Sequence, residues 1–280
     1  MTTIGIIGSG VVGEATGLAF AEKGLDVVFH DVSGERLRRL SKVAKTDISL
    51  SNTIRRSDAV FVCVPTPTVE DRFDSSYLQS VTEDIRGALE ESPEPHHIIV
   101  YKSTSLPGYT RRKIYPLLKH ALAGHSLANN PEFLTEKYAL EDAMHPSRVV
   151  MGLLDRGDDY AQRALSRIYA PFNAPIFFTT LEEAEMVKYW ANLTLATRIS
   201  FTNEMGAICD KLGVDANYVS SIVRLDPRIG VYGSAYGQPY GGTCLPKDLN
   251  ALLTYCKEDL NMAPELLEAV RKVNRNMGGE

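Results

Sequence analysis

The chain has 280 residues, 44% of them hydrophobic and 23% charged. That suits one large or two ordinary domains with a self-sufficient core, and it excludes small disulfide scaffolds, disordered chains and coiled coils. Thirty basic against thirty-five acidic side chains leave a net charge of -5, so no basic field draws in a nucleic-acid backbone or an anionic membrane.

Short apolar runs alternate with helical stretches from the start. Ile4-Gly5-Ile6-Ile7 precedes a helix over Val11 to Lys23, and Val27-Val28-Phe29 precedes one over Glu35 to Ala44. Such alternation predicts βαβ units and a parallel sheet. Ala59 to Val64 and Ile98 to Tyr101 are unbroken apolar runs, the pattern of central strands covered on both faces. Arg148 to Met151 and Ile176 to Phe178 extend the sheet, with a helix over Asp155 to Tyr169 between them. The sheet domain is thus expected over residues 1–179 and a helical domain over 180–280. Thr180-Leu181-Glu182-Glu183 has capping-box spacing, and an apolar pattern without proline follows to about Leu212, predicting a helix of ~32 residues that joins two domains. Further helices are read at Ala216 to Arg224, Lys247 to Lys257 and Pro264 to Asn276, with a Gly- and Tyr-rich loop from Asp226 to Gly242.

Gly8-Ser9-Gly10-Val11-Val12-Gly13 is a GxGxxG between a strand and a helix, and Asp31 ends the next strand. Glycines there let backbone N–H groups approach a pyrophosphate at the positive helix end, and the carboxylate accepts from a ribose 2′-OH, which favours NAD over NADP. The plainer alternative is a glycine turn with no ligand. Arg36 lies along the adenosine edge or is solvated. Cys244 precedes Leu245-Pro246-Lys247-Asp248. A helix start and a nearby lysine favour thiolate, although a buried thiol also serves as a small apolar group, as expected of Cys63. Lys188 and Asn192, one turn apart in an apolar stretch, either snorkel to water or donate to a bound oxygen. Glu132 and Glu136 are read one helical turn apart at a helix start, where solvated acids are ordinary. The four cysteines form no CxxC pair and have no histidine at zinc spacing, so neither a redox dithiol nor a metal is expected. No signal peptide or apolar stretch of ~20 residues is read, and a cytoplasmic, soluble chain without membrane or nucleic-acid partners is expected.

Together these segments resemble the UDP-glucose/GDP-mannose dehydrogenase family. The carriers are Gly8 to Gly13, Val64-Pro65-Thr66-Pro67, Lys102-Ser103-Thr104, Asn130 to Glu136, Lys188 with Asn192, Arg228-Ile229-Gly230 and Gly241 to Asp248. The resemblance implies a Rossmann-like doubly wound α/β domain followed by an all-α substrate and dimerisation domain with a long central helix. It implies four-electron oxidation of a nucleotide-sugar C6 alcohol to a carboxylate with two NAD in succession. Cys244 would trap the aldehyde as a thiohemiacetal that becomes a thioester. Lys188 and Asn192 would stabilise oxyanions, Asp248 would order or deprotonate a water, and Glu132 would be the base for hydrolysis. Gly8, Gly10, Val11, Val12, Gly13, Asp31 and Arg36 would hold the dinucleotide, with Thr66, Thr104, Glu136 and Lys247 on the nicotinamide side. Phe133, Leu134 and Gly241 would line the substrate with Glu132, Lys188 and Asn192, and Arg228 would reach a neighbouring subunit's site, implying a homodimer. Family members usually continue into a third, Rossmann-like domain that grips the nucleotide, and the sequence here stops at Gly278-Gly279-Glu280. Either the sequence is part of a longer chain or it is a short member that grips its substrate differently; remote binding energy supports the reacting end, so losing that lobe is expected to cost affinity and rate. Two other activities fit the same segments: two-electron oxidation of a hydroxy acid or plain sugar, and a non-catalytic NAD-binding subunit.

Overall fold

Ile4, Ile6, Phe29, Phe61 and Val100 are fully buried at the centre of an eight-stranded sheet in the computed structural model, which describes residues 2–91 and 96–279. The first unit runs to Lys188 apart from Pro67–Phe73. Its elements are β1 (Thr3–Ile7), α1 (Val11–Glu22), β2 (Asp26–His30), α2 (Gly34–Leu40), β3 (Lys45–Thr46), α3 (Leu50–Arg55) and β4 (Ala59–Val62). After the excursion β5 (Thr68–Val69) and β6 (Arg72–Phe73) come α4 (Ser76–Glu91) and β7 (Ile98–Tyr101). A π turn at Thr110–Ile114 leads into α5 (Tyr115–Leu118), then β8 (Ser126–Asn129), α6 (Ala139–Met144), β9 (Val149–Leu153), α7 (Asp159–Tyr169) and β10 (Ile176–Thr180).

Strand order is β10-β9-β8-β7-β4-β1-β2-β3, a doubly wound arrangement whose order reverses beside β1, where such sheets hold ligands at the carboxyl ends of their strands. The expected parallel sheet needs one correction, because β8 and β9 pair antiparallel. The connection between them holds a 3-10 turn at Glu136–Tyr138 and the six-residue helix α6, the latter about 9 Å long, rather than a long crossover helix, and β9 enters from the end of the sheet where β8 leaves. A second correction concerns Asn130 to Glu136. This segment follows β8 as a loop, with a 3-10 turn starting at Glu136, so Glu132 and Glu136 are not one turn apart on a helix. The short β8, with Ser126 and Asn129 at its ends, gives a strand signal too weak to read. The aromatic rings of Phe20, Phe61, Tyr169 and Phe172 meet at centroid separations from 5.1 to 6.3 Å under α1, where edge-to-face geometry adds to area burial.

Helix α8 (Leu181–Leu212) spans 32 residues, and the two ends of its capping box meet: Thr180 N–H donates to Glu183 Oε2 at 2.8 Å and Glu183 N–H to Thr180 Oγ1 at 3.2 Å. The border between the units falls inside it, between Lys188 and Tyr189. The second unit contains the rest of α8, then α9 (Ala216–Val223), α10 (Leu245–Glu258) and α11 (Glu265–Asn276). It also takes in the β5–β6 hairpin, which lies on α10 through Arg72 to Glu258 at 2.6 Å and Thr68 Oγ1 to the Lys247 carbonyl at 3.1 Å. Among the described residues no helix is long and apolar enough to cross a membrane.

Candidate active site

In the first unit, strand ends set the site. Gly8 follows β1 with φ +90°, a value open to glycine and costly for other residues. A Cβ on Gly13 would stand 1.8 Å from the Gly8 carbonyl oxygen, so the loop packs onto its own helix only because both positions are glycine. Among the described residues no side chain caps α1, and a Cβ on Gly10 would meet nothing within 4 Å. The first N–H groups of α1 are therefore unclaimed by a side chain, and the Ser9 hydroxyl is buried without a partner among the described residues. These features fit a dinucleotide pyrophosphate. Asp31 is buried at the end of β2, accepting from Ser9 N–H at 2.6 Å and Ser33 N–H at 2.8 Å, with Arg36 Nη1 at 3.5 Å. Val11 is exposed and Val12 half-buried at the helix start.

Thr66 is buried after β4, and Thr104 is half-buried in the loop after β7. Cys63, at the end of β4, is buried, and desolvation pushes its thiol up to about 12, which makes it inert as a nucleophile at neutral pH.

Glu132 leaves the end of β8 and is buried. Its Oε1 takes Lys188 Nζ at 2.7 Å and its Oε2 takes Leu134 N–H at 2.6 Å. Lys188 is 3% exposed, which resolves the snorkelling alternative, and its ammonium also lies 5.8 Å from the Phe133 ring centroid, a ring stacked by Arg148 at 3.9 Å. The Glu132 loop is seated by Asn130, whose Oδ1 takes both Lys102 Nζ at 3.0 Å and Tyr169 OH at 2.7 Å while its Nδ2 donates to the Val150 carbonyl at 2.8 Å. Burial lowers the Lys102 ammonium from its usual range. Beneath this loop is a cavity of about 160 Å³ lined by Lys102, Glu132, Phe133, Arg148, Tyr169 and Thr16. Glu136 is exposed.

In the second unit, Cys244 is the residue before α10 and is half-buried, with Pro246 in the first turn. Its Sγ stands 3.7 Å from Thr243 Oγ1. Asp248, 1% exposed, takes Asn192 Nδ2 at 2.6 Å on Oδ2, and Lys247 Nζ stands 2.8 Å from its Oδ1 as an ion pair. Gly241 is exposed, and Arg228 is exposed with its guanidinium on Asp226 at 2.6 Å. Sequence reading gave no role to Lys102, Asn130, Tyr169 or Glu185. The signal for Glu185 was present: a charged residue three before Lys188 in an apolar helix face.

The sequence profile of the UDP-glucose/GDP-mannose dehydrogenase family matches with its NAD binding domain at residues 41–173 and its central domain at 182–276. GDP-mannose 6-dehydrogenase of Pseudomonas aeruginosa is 32% identical over 98% of this chain and 68% of its own length. The chain belongs to the UDP-glucose/GDP-mannose dehydrogenase family. The NAD binding domain of 3-hydroxyacyl-CoA dehydrogenase also matches, at residues 3–65, which covers the Gly8 loop that the family's own profile leaves out. A UDP-glucose 6-dehydrogenase of Bacillus subtilis is 33% identical over 98% of this chain and 63% of its own, so the chain spans about two thirds of the length of such relatives. The solved UDP-glucose dehydrogenase of the archaeon Pyrobaculum islandicum superposes with a TM-score of 0.91 at 32% identity, over 99% of this chain and 68% of that one. A 3-hydroxyisobutyrate dehydrogenase of Mycobacterium tuberculosis shares the fold, with a TM-score of 0.75 at 17% identity.

Proposed function

We propose that the chain carries out NAD-dependent four-electron oxidation of a nucleotide-sugar C6 alcohol to the uronate, with Cys244 as the covalent nucleophile. The observation that carries this reading is the buried Lys188–Glu132 pair at 2.7 Å. A lysine and a carboxylate are costly to bury, and a family of alcohol-to-acid oxidations gives both a task.

NAD, when bound, accepts one hydride in each two-electron step. The hydroxyl proton of the alcohol passes to a water that Asp248 orders or deprotonates, while Lys188 and Asn192 donate to the substrate oxygen as it gains negative charge. The Cys244 sulfur adds to the aldehyde carbon, which keeps the C–H bond available for the second hydride loss and leaves a thioester. Glu132 takes a proton from the water that cleaves that thioester, Asp248 orders the water, and the sulfur leaves as thiolate. Thr66, Thr104, Glu136 and Lys247 line the nicotinamide side, and Phe133, Leu134 and Gly241 the sugar. The relatives act on UDP-glucose or GDP-mannose by name, which supports a nucleotide sugar as substrate class.

A homodimer is part of the proposal, with Arg228 serving the neighbouring copy. Supporting it, α8 and α9 expose Trp190, Phe201, Leu212, Tyr218 and Ile222 at 54 to 71%, large apolar side chains that a second copy would cover. The chemistry is tested by supplying purified protein with a panel of nucleotide sugars and counting NADH against carboxylate. Two NADH per uronate is expected, one NADH per ketone or aldehyde would point to the two-electron alternative, and a Cys244→Ser variant retaining full four-electron turnover would falsify the thioester route.

A further inference from the structure

Glu185 lies on α8 three residues before Lys188 and is 2% exposed. Its carboxylate collects three donors from one turn of chain: Ser105 Oγ at 3.0 Å and Thr110 N–H at 2.9 Å on Oε1, and Gly108 N–H at 2.5 Å on Oε2. One turn earlier on the same helix, Glu182 takes Arg111 Nε at 2.6 Å. The gripped turn begins at the residue after Thr104 and passes through Gly108 at φ +81°.

Glu185 itself makes no ion pair within 4 Å among the described residues, so its burial is compensated by hydrogen bonds alone, and desolvation raises its carboxyl above the usual range despite them. A group used only to fill space at this position would be apolar, at lower cost. What a carboxylate offers that an apolar or amide side chain does not is acceptor capacity on both oxygens at once. Both backbone donors it satisfies, Gly108 and Thr110, lie where the chain turns from the β7 loop into the π turn, before a regular helical ladder can take them.

We infer that Glu185 is a positioning residue for Thr104: its three-point grip fixes the loop after β7 to the helix face that also presents Lys188 to Glu132. Thr104 and the Lys188–Glu132 pair thereby share one rigid support, and a displacement of about 1 Å in such a support costs up to ~100-fold in rate. The inference rests on the proposed function only for Thr104's role beside the nicotinamide.

The experiment uses the full chain with Glu185→Gln, Ser105→Ala, Thr104→Ala and the Glu185→Gln/Thr104→Ala double variant. Gln keeps the volume, and one of its ends turns donors toward donors. Amide hydrogen exchange over residues 103–114 is expected to speed tenfold or more in Glu185→Gln, while residues 126–129 keep their protection. Turnover should drop tenfold or more with the KM values for NAD and sugar nucleotide moving less than threefold, and the double variant should be no slower than Thr104→Ala. Ser105→Ala, which removes one donor and leaves the carboxylate, should give a smaller loss that is likewise masked by Thr104→Ala, and it decides the matter if Glu185→Gln does not fold. Unchanged exchange, or losses that multiply in the double variant, overturn the inference. A wild-type chain that makes no uronate overturns the proposed function instead, and the exchange measurement still decides the role of Glu185.

Discussion

A single charged pair separates two accounts of Lys188. Periodicity alone allowed its ammonium to reach water, and burial at 3% with Glu132 at 2.7 Å shows that it does not. Removing one member of such a pair leaves the other buried and uncompensated, which typically costs 3–5 kcal/mol. Lys188→Ala is therefore expected to destabilise the protein by about that amount in urea unfolding and to abolish turnover. A Lys188→Arg variant would keep the charge, but the guanidinium fork does not fit a space shaped for an ammonium. Asp248 has a similar standing in the second unit, with Asn192 and Lys247 on its two oxygens. The residue types were legible because charges in apolar helices are rare. Their partners were not, because Glu132 is 56 positions from Lys188, and Asn192 is 56 from Asp248.

At the scale of an element, the loop between β1 and α1 shows how little freedom the dinucleotide motif has. Gly13→Ala would drive a methyl group to 1.8 Å from the Gly8 carbonyl, so the loop must open. NAD affinity measured by calorimetry is expected to weaken by at least tenfold. Helix α8 carries its own start signal in the reciprocal Thr180 and Glu183 bonds. Thr180→Ala should lower stability by about 1 kcal/mol in urea unfolding, as loss of such a cap does elsewhere. Both motifs were read directly from sequence because each is a local bonding pattern within a few residues. α4 is equally legible, since Leu78, Val81, Thr82, Ile85 and Leu89 repeat on one buried face.

Across the whole molecule, acid sensitivity should arise where the chain enters the central strands β7 and β8, at the end opposite the strand ends of the candidate site. His125 Nδ1 accepts from the His97 N–H at 3.0 Å, and its ring lies stacked on His97 at 5.2 Å between centroids. Burial first, and the nearby His97 and His96, push His125 down to about 4. The unfolded chain, with an ordinary histidine near 6.5, binds that proton more readily. The contribution of His125 to stability is thus fully present above about pH 6.5 and is lost as pH falls toward 4. Urea midpoints at pH 5 and 7 are expected to differ more for the wild type than for His125→Asn. The oligomeric proposal makes its own claim at this scale: Phe201→Glu on α8 should shift sedimentation from dimer to monomer. By itself the sequence determined the strand and helix alternation, the glycine loop and the 32-residue helix, because periodicity, caps and turn chemistry act over a few residues. Only the tertiary structure decided that β9 runs antiparallel, that Glu132 stands in a loop, that Pro67–Phe73 packs with the helical unit, and that Glu185 grips the turn after Thr104. Those outcomes depend on contacts between residues far apart in the chain, where the cost of burying a polar group is settled by whichever distant donor or acceptor reaches it.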